Sequence, residues 1–194
     1  MIFRGVAVIV CAIAALSSGC ASTPPARFYT LSATVPPATT ASRLSVSVGP
    51  VSVPPVADRP QFVLSTGANE VRLDDFNRWA APLQDSLARV IADDLAALLG
   101  TSSVTLFPQT SSADADYRVA IEVRRFESTP GESSALDAVW ILRRTKDGKT
   151  ETRRTTVREP VTDGSHNALV AAHDRALARL SREIAQAICP STCS

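Results

Sequence analysis

The chain carries two histidines, His166 and His173, seven residues apart in a segment of helical periodicity. Seven residues make two turns, so the rings share a face but stand about 10 Å apart along the axis. One metal ion does not bridge that distance, and two ordinary polar helix residues is the better reading. The neighbouring carboxylates Asp74-Asp75 and Asp93-Asp94 would do acid–base chemistry only if they converged, and neighbours on a helix diverge. They read as a helix start and a solvated face. The sequence holds no HExxH, no GxSxG and no Gly-rich phosphate cradle. Nothing in it supports catalysis, a metal centre or a cofactor, so the expectation is a protein that is not an enzyme. A periplasmic hydrolase, the rival reading, needs a pocket with convergent polar groups.

Three arginine pairs recur, Arg124-Arg125, Arg143-Arg144 and Arg153-Arg154, each on a segment that reads as a strand. Alternation sends the two members of a pair to opposite faces. If the strands are neighbours, one arginine from each forms a basic row suited to phosphates or an acidic partner. The favoured reading pairs them instead across strands with Glu122, Glu127, Asp137 and Glu151 on an exposed sheet, where such pairs contribute little. A net charge of +1 lacks the basic excess of a dedicated nucleic-acid binder, and no nucleic-acid partner is expected. With 194 residues, 45% hydrophobic and 20% charged, the chain fits one globular domain.

The elements that position these side chains begin after the N-terminal segment. Arg4 is followed by the apolar run Gly5 to Leu16, too short to span a bilayer comfortably, which takes about 20 residues. A basic start, a short apolar run and small residues before a cut describe a secretory signal; an uncleaved anchor helix is the weaker alternative. Leu16-Ser-Ser-Gly-Cys20 resembles the lipobox of bacterial lipoproteins, with its Leu one place earlier than that family prefers. The resemblance implies a signal peptide over 1–19, cleavage before Cys20, a diacylglyceryl group on its thiol, and a further acyl chain, such as palmitate, on the new amine. Ordinary signal peptidase cutting near Ser18–Ala21 would instead leave a soluble protein. Ala21, where Asp would mark inner-membrane retention, points by the same resemblance to the periplasmic face of the outer membrane. Cys11 leaves with the signal, so Cys189 and Cys193 remain. An oxidising periplasm permits a disulfide between them. Their spacing alone does not fix the Cα geometry, and bonded and free thiols both stay open. Two thiols are too few for a structural zinc site unless His or a carboxylate joins them.

Residues 20–42, rich in Ala, Ser, Thr and Pro, read as an extended tether after the acylated Cys20, and the domain is expected over 43–194. Phe28-Tyr-Thr-Leu31 interrupts the tether and is expected to dock on the domain. Leu44–Val48 alternates like a strand that Gly49-Pro50 closes, and Gln61–Leu64 with Asn69–Leu73 forms a hairpin. Trp79, Leu83, Leu87, Val90, Ile91, Leu95 and Leu98 predict a helix over 80–99, with Pro82 in its first turn and Gly100 past its end. Short strand Ser103–Phe107, long strands from Tyr117 and over Ala135–Thr145, a turn at Asp147-Gly148 and an edge strand Thr150–Arg158 follow. A last helix opens at Ser165 and runs to the C-terminal tail. The order gives an α+β single domain, a mainly antiparallel sheet with two long helices packed on one face.

Several segments together resemble the ABC-type transport auxiliary lipoproteins, the PqiC/YmbA-like group. They are Pro25-Ala-Arg-Phe-Tyr-Thr-Leu31, Val48-Gly-Pro-Val-Ser-Val-Pro54, Asp58-Arg-Pro-Gln61, Asn69-Glu-Val71 and Arg78-Trp-Ala-Ala-Pro-Leu83. Ala81 departs from the acidic residue expected at its place. The resemblance implies an outer-membrane lipoprotein that is the auxiliary subunit of an MCE-type (PqiABC-like) intermembrane lipid transport system. It would receive the end of an MCE-domain protein, support envelope integrity by contact, and self-associate into a homo-oligomer. Arg59, Gln61, Asn69, Glu70 and Arg78 are the expected partner contacts. The alternative is a periplasmic lipoprotein that itself binds a lipid or another envelope ligand.

Overall fold

A computed structural model describes residues 24–109 and 114–190. In chain order the elements are β1 (Arg27–Tyr29), β2 (Val46–Ser52), β3 (Gln61–Gly67), β4 (Glu70–Trp79), α1 (Leu83–Leu99), β5 (Val104–Leu106), β6 (Tyr117–Thr129), β7 (Ser133–Arg144), β8 (Thr150–Pro160) and α2 (His166–Ile188). The strands form one mixed sheet ordered β1-β4-β3-β6-β2-β5, with β7 on the other edge of β6 and β8 beyond it. The long ladders β6–β7 and β7–β8 and the β3–β4 hairpin are antiparallel. The short pairings β1–β4, β2–β5, β2–β6 and β3–β6 are parallel. The expected α+β domain, two helices over one sheet, is the fold observed.

Strand β6 shows why. Val119, Ile121 and Val123 are buried while Arg118, Glu122 and Arg124 are exposed, so its period of two decides which face meets the helices. The helices answer with Leu87, Ile91 and Leu95 from α1 and Leu169, Leu177, Leu180 and Ile184 from α2, which join Trp140 and Leu136 in one core. Ser165 caps α2 as expected, its Oγ accepting the Ala168 N–H at 3.2 Å.

Two element boundaries differ from the sequence reading. Strand β2 continues through Gly49-Pro50 to Ser52, and its register against β6 shifts between Val48 and Val51. Helix α1 starts at Leu83, with Pro82 as the residue before it. Trp79 belongs to β4, where its N–H donates to the Pro60 carbonyl at 2.8 Å.

The segment expected to be a tether is, from Arg27 onward, laid against the domain. After β1 joins the sheet, Ala38 N–H donates to the Ala97 carbonyl and Ser42 N–H to the Gly100 carbonyl, each at 2.8 Å. Gly100 ends α1 in the left-handed conformation (φ 61°), and a Cβ there would stand 2.1 Å from the Thr40 carbonyl oxygen. Gly100→Ala therefore has to displace the strap, against backbone strain of about 1–3 kcal/mol. Thermal unfolding followed by circular dichroism is expected to show a melting temperature several degrees lower. Among the described residues no helix is long and apolar enough to cross a membrane.

Candidate functional site

Three of the motif segments meet at one end of the sheet. Strand β1 pairs with the end of β4, Phe28 beside Arg78 and Tyr29 beside Trp79. Gln61 pairs with Arg78 from the other side. Ala80 N–H donates to the Tyr29 carbonyl at 2.9 Å, and the Tyr29 hydroxyl donates to Asn77 Oδ1 at 2.8 Å. The Asp58–Pro60 turn and the Trp79–Leu83 segment then line a groove of about 320 Å³. Trp79 and Leu83, both buried, make its floor; Asp58 and Arg59 stand exposed at its rim.

An aromatic column holds that floor. Trp79 stacks on Phe62 at 4.4 Å between centroids and meets Phe126 edge-on at 6.1 Å. Phe62 meets Tyr29 edge-on at 5.7 Å. Helix α2 supplies the remaining rings. His166 stacks on Tyr29 at 5.6 Å with its Nε2 3.1 Å from Asp74 Oδ2. His173 stacks on Phe126 at 3.8 Å with its Nε2 2.8 Å from Ser128 Oγ. Such edge and offset contacts add to area burial.

The histidines are therefore not ordinary polar helix residues. His173 is wholly buried, and burial pushes its pKa down to about 3, so the ring is neutral and behaves as a core aromatic. The signal was present in the sequence: His173 lies four residues after Leu169 and four before Leu177, on the apolar stripe. Asp94, expected on a solvated face, is also wholly buried, four residues after Val90. Its Oδ1 accepts the Thr34 N–H at 3.3 Å, while Asp174 on α2 accepts the Ser32 N–H at 3.0 Å. These two carboxylates fasten the strap across both helices.

Burial raises the Asp94 carboxyl, and burial together with the charge of Asp94 raises Asp174 to about 6. The folded protein thus holds more protons than the unfolded chain between the ordinary carboxylate value of 3.8 and about 6. The stability that protonation brings is present in full below that window and is lost as pH rises through it. His173 acts in the opposite sense from its ordinary 6.5 down to about 3, so only a difference between variants isolates the aspartate. Asp174→Asn, which keeps an acceptor for Ser32, is expected to raise the melting temperature at pH 7 and to change it little at pH 4. Parallel thermal melts of the two proteins check this.

Of the expected contacts, Arg59 stands at the rim of the groove, while Gln61 and Arg78 pair with each other on the strands beside it, Arg78 Nε donating to the Asp75 carbonyl at 2.8 Å. Asn69 and Glu70 do not join them. They sit exposed at the tip of the β3–β4 hairpin, about 20 Å away along β3. Cys189 closes α2 and is disulfide-bonded; Cys193 and Cys20 lie outside the described residues.

The arginine pairs lie on three neighbouring strands and are largely matched by carboxylates. Arg124 meets Glu122 at 3.2 Å and Arg125 meets Glu127 at 3.4 Å. Arg153 meets Glu151, Arg144 meets Asp147 at 2.6 Å, and Arg154 forms a bidentate pair with Asp137. Only the last crosses strands. The others run along one strand or around the turn, because residues two apart share a face. Among the described residues no group of three His, Cys, Asp or Glu side chains is placed to hold a metal ion. A larger groove, about 560 Å³, opens at the C-terminal ends of the helices and includes Leu98, Leu99, Ala185 and Arg182.

Known structures share this architecture. A crystal structure of an uncharacterized protein superposes with a TM-score of 0.70 at 18% identity, over 85% of this chain and 99% of that one. Protein XCC0632 from Xanthomonas campestris, of the DUF330 family, superposes with a TM-score of 0.65 at 22% identity, over 81% and 92%. No curated protein matches the chain. The model of the ABC-type transport auxiliary lipoprotein component family matches residues 29–185. That span runs from the last residue of β1 through α1 and every later strand into α2, and includes the docked strap. The chain belongs to the family of ABC-type transport auxiliary lipoprotein components.

Proposed function

We propose that the protein is an outer-membrane lipoprotein on the periplasmic face, acylated on Cys20. It serves as the auxiliary subunit of an MCE-type intermembrane lipid transport system. It acts by contact and carries out no bond chemistry of its own. One observation carries the reading: two separate motif segments line a single groove with an apolar Trp79–Leu83 floor and Arg59 at its rim, and a third pairs with β4 beside it. An apolar floor behind a charged rim suits an inserted partner side chain. Arg59, Gln61 and Arg78 form the contact, with Asn69 and Glu70 as a second point at the hairpin tip. Cys189 pairs with Cys193 and ties down the tail.

Affinity purification of tagged protein from native membranes tests this. An MCE-domain protein is expected to come down with the wild-type chain. Arg59→Glu, at an exposed rim position, is expected to lose most of it without a change in melting temperature. Failure to recover an MCE-domain protein while the lipid anchor is intact contradicts the proposal.

A lipoprotein that itself holds a lipid is the second reading. It is favoured by the groove of about 560 Å³, which places Arg182 beside Leu98 and Leu99, a cation next to apolar surface. Native mass spectrometry finding bound lipid on protein released from membranes would support it.

A further inference from the structure

We infer that the outer face of the sheet from Val71 on β4 to Phe28 on β1 is a membrane-contact surface, lying against the bilayer that holds the Cys20 lipid. The inference rests on the acylated Cys20 of the proposed function. Phe28 is 64% exposed, Val71 49%, Phe76 41% and Leu73 40%. These four are not scattered. Phe28 lies beside Arg78, Leu73 opposite Val63, and Val71 opposite Ser65. Tyr29, Trp79, Phe62 and Leu64 alternate with them and face the helices, so Phe28, Leu73 and Val71 share the face turned away from the core. Phe76 stands between them, in the bulge that Asp74 Oδ1 closes by accepting the Phe76 and Asn77 N–H groups. A strip of large apolar side chains exposed together marks an interaction surface.

The anchor decides what covers it. Arg27 is fixed in the sheet seven residues after Cys20. At no more than about 3.6 Å per residue, that leader reaches about 25 Å, whereas the whole 20–42 segment, if free, would reach about 80 Å. Phe28 opens the strip at the very point where the leader joins the sheet. The docked strap therefore holds this face, and not the far β7–β8 end, at the membrane surface. Arg78 lies along the strip beside Phe28, and Arg27, Asp75 and Glu70 border it. The charges nearly balance, so aromatic and aliphatic insertion leads the contact and anionic lipid adds little. The groove lined by Asp58, Arg59 and Trp79 adjoins the same end, which puts the partner contact next to the bilayer.

The test uses the full lipidated protein reconstituted into vesicles of phosphatidylethanolamine and phosphatidylglycerol. A bimane fluorophore on Ser65→Cys, on the face of Val71, reads contact through quenching by doxyl-labelled lipid. Quenching is expected to be several-fold greater there than at Lys149→Cys on the β7–β8 turn. It is expected to fall to the control level when Phe28, Leu73 and Phe76 are all changed to Ser. Equal quenching at the two positions overturns the inference, and that comparison stands even if the triple variant does not fold. Protection of position 65 that appears only as protein density rises assigns the strip to a second copy and overturns it as well. Intact mass reports separately on Cys20. A mature Cys20→Ser chain held on nickel-chelating lipid by a histidine tag at its start repeats the reading without acylation. Quenching that persists there while no acyl mass is found on the native protein removes the anchor and keeps the surface; the reverse removes the surface and keeps the anchor.

Discussion

A chain exported behind an ordinary cleavable signal peptide, with Cys20 replaced by Ser, is expected to move almost completely from the membrane fraction to the soluble periplasm. The reason is the arithmetic of acyl chains. Each buried methylene contributes about 0.8 kcal/mol, one chain holds a protein only marginally, and two or more hold it stably. The body offers nothing of comparable strength. None of its described helices is long and apolar enough to cross a membrane, and its exposed Phe28, Val71, Leu73 and Phe76 form a contact strip, not a span. Fractionation with immunoblotting reads the outcome. A Ser variant that stays membrane-bound through high-salt and carbonate washes would show that the body, and not lipid, does the anchoring.

Trp79→Ala is expected to cost the domain about 3–5 kcal/mol, the range for removing a buried large aromatic. At about 2–4 °C per kcal/mol for a domain of this size, the melting temperature falls by about 6–20 °C. The indole is 7% exposed and touches both Phe62 and Phe126. Its loss leaves a hole beneath the groove and loosens the junction where β1, β3 and β4 meet. Partner recovery should fall with stability in this variant, whereas Arg59→Glu should lose the partner alone. A drop under about 3 °C in a calorimetric scan of Trp79→Ala would mean that the column collapses without cost, and the account of the groove would fail.

The strands and helices were legible because each element shows a different pattern on its two faces. Tyr117 to Val123 alternates cleanly since the helices cover one side of β6 and water covers the other. The turn at Asp147-Gly148 and the cap at Ser165 are local chemistry and need no tertiary information. Trp79 was misread because it precedes Leu83 by four residues and so continues the helical stripe by coincidence; its bond to Pro60 and its pairing with Tyr29 place it on β4. Asp94 and His173 carried a signal in their spacing from leucine and valine. Their partners, the Thr34 amide and Ser128, lie 60 and 45 residues away in the chain, and no periodicity reveals such pairings. For the same reason the strap looked like a free tether. Its proline- and alanine-rich composition describes an extended chain, and says nothing of the backbone groups that Ala97, Gly100, Asp94 and Asp174 hold. The motif segments near Tyr29, Arg59 and Trp79 were visible one by one, but their meeting at one end of the sheet depends on the Gln61–Arg78 pairing and on the parallel β1–β4 pairing, which joins residues 50 positions apart.

The central claim is that this lipid-anchored body works by holding an MCE-domain protein at the Arg59 groove. A photo-crosslinking amino acid placed at position 59, and at position 149 as the distant control, tests it in intact cells. The account predicts an adduct with an MCE-domain protein from position 59 and none from 149. Adducts from both positions alike, or an adduct at 59 with a protein that has no MCE domain, would contradict it.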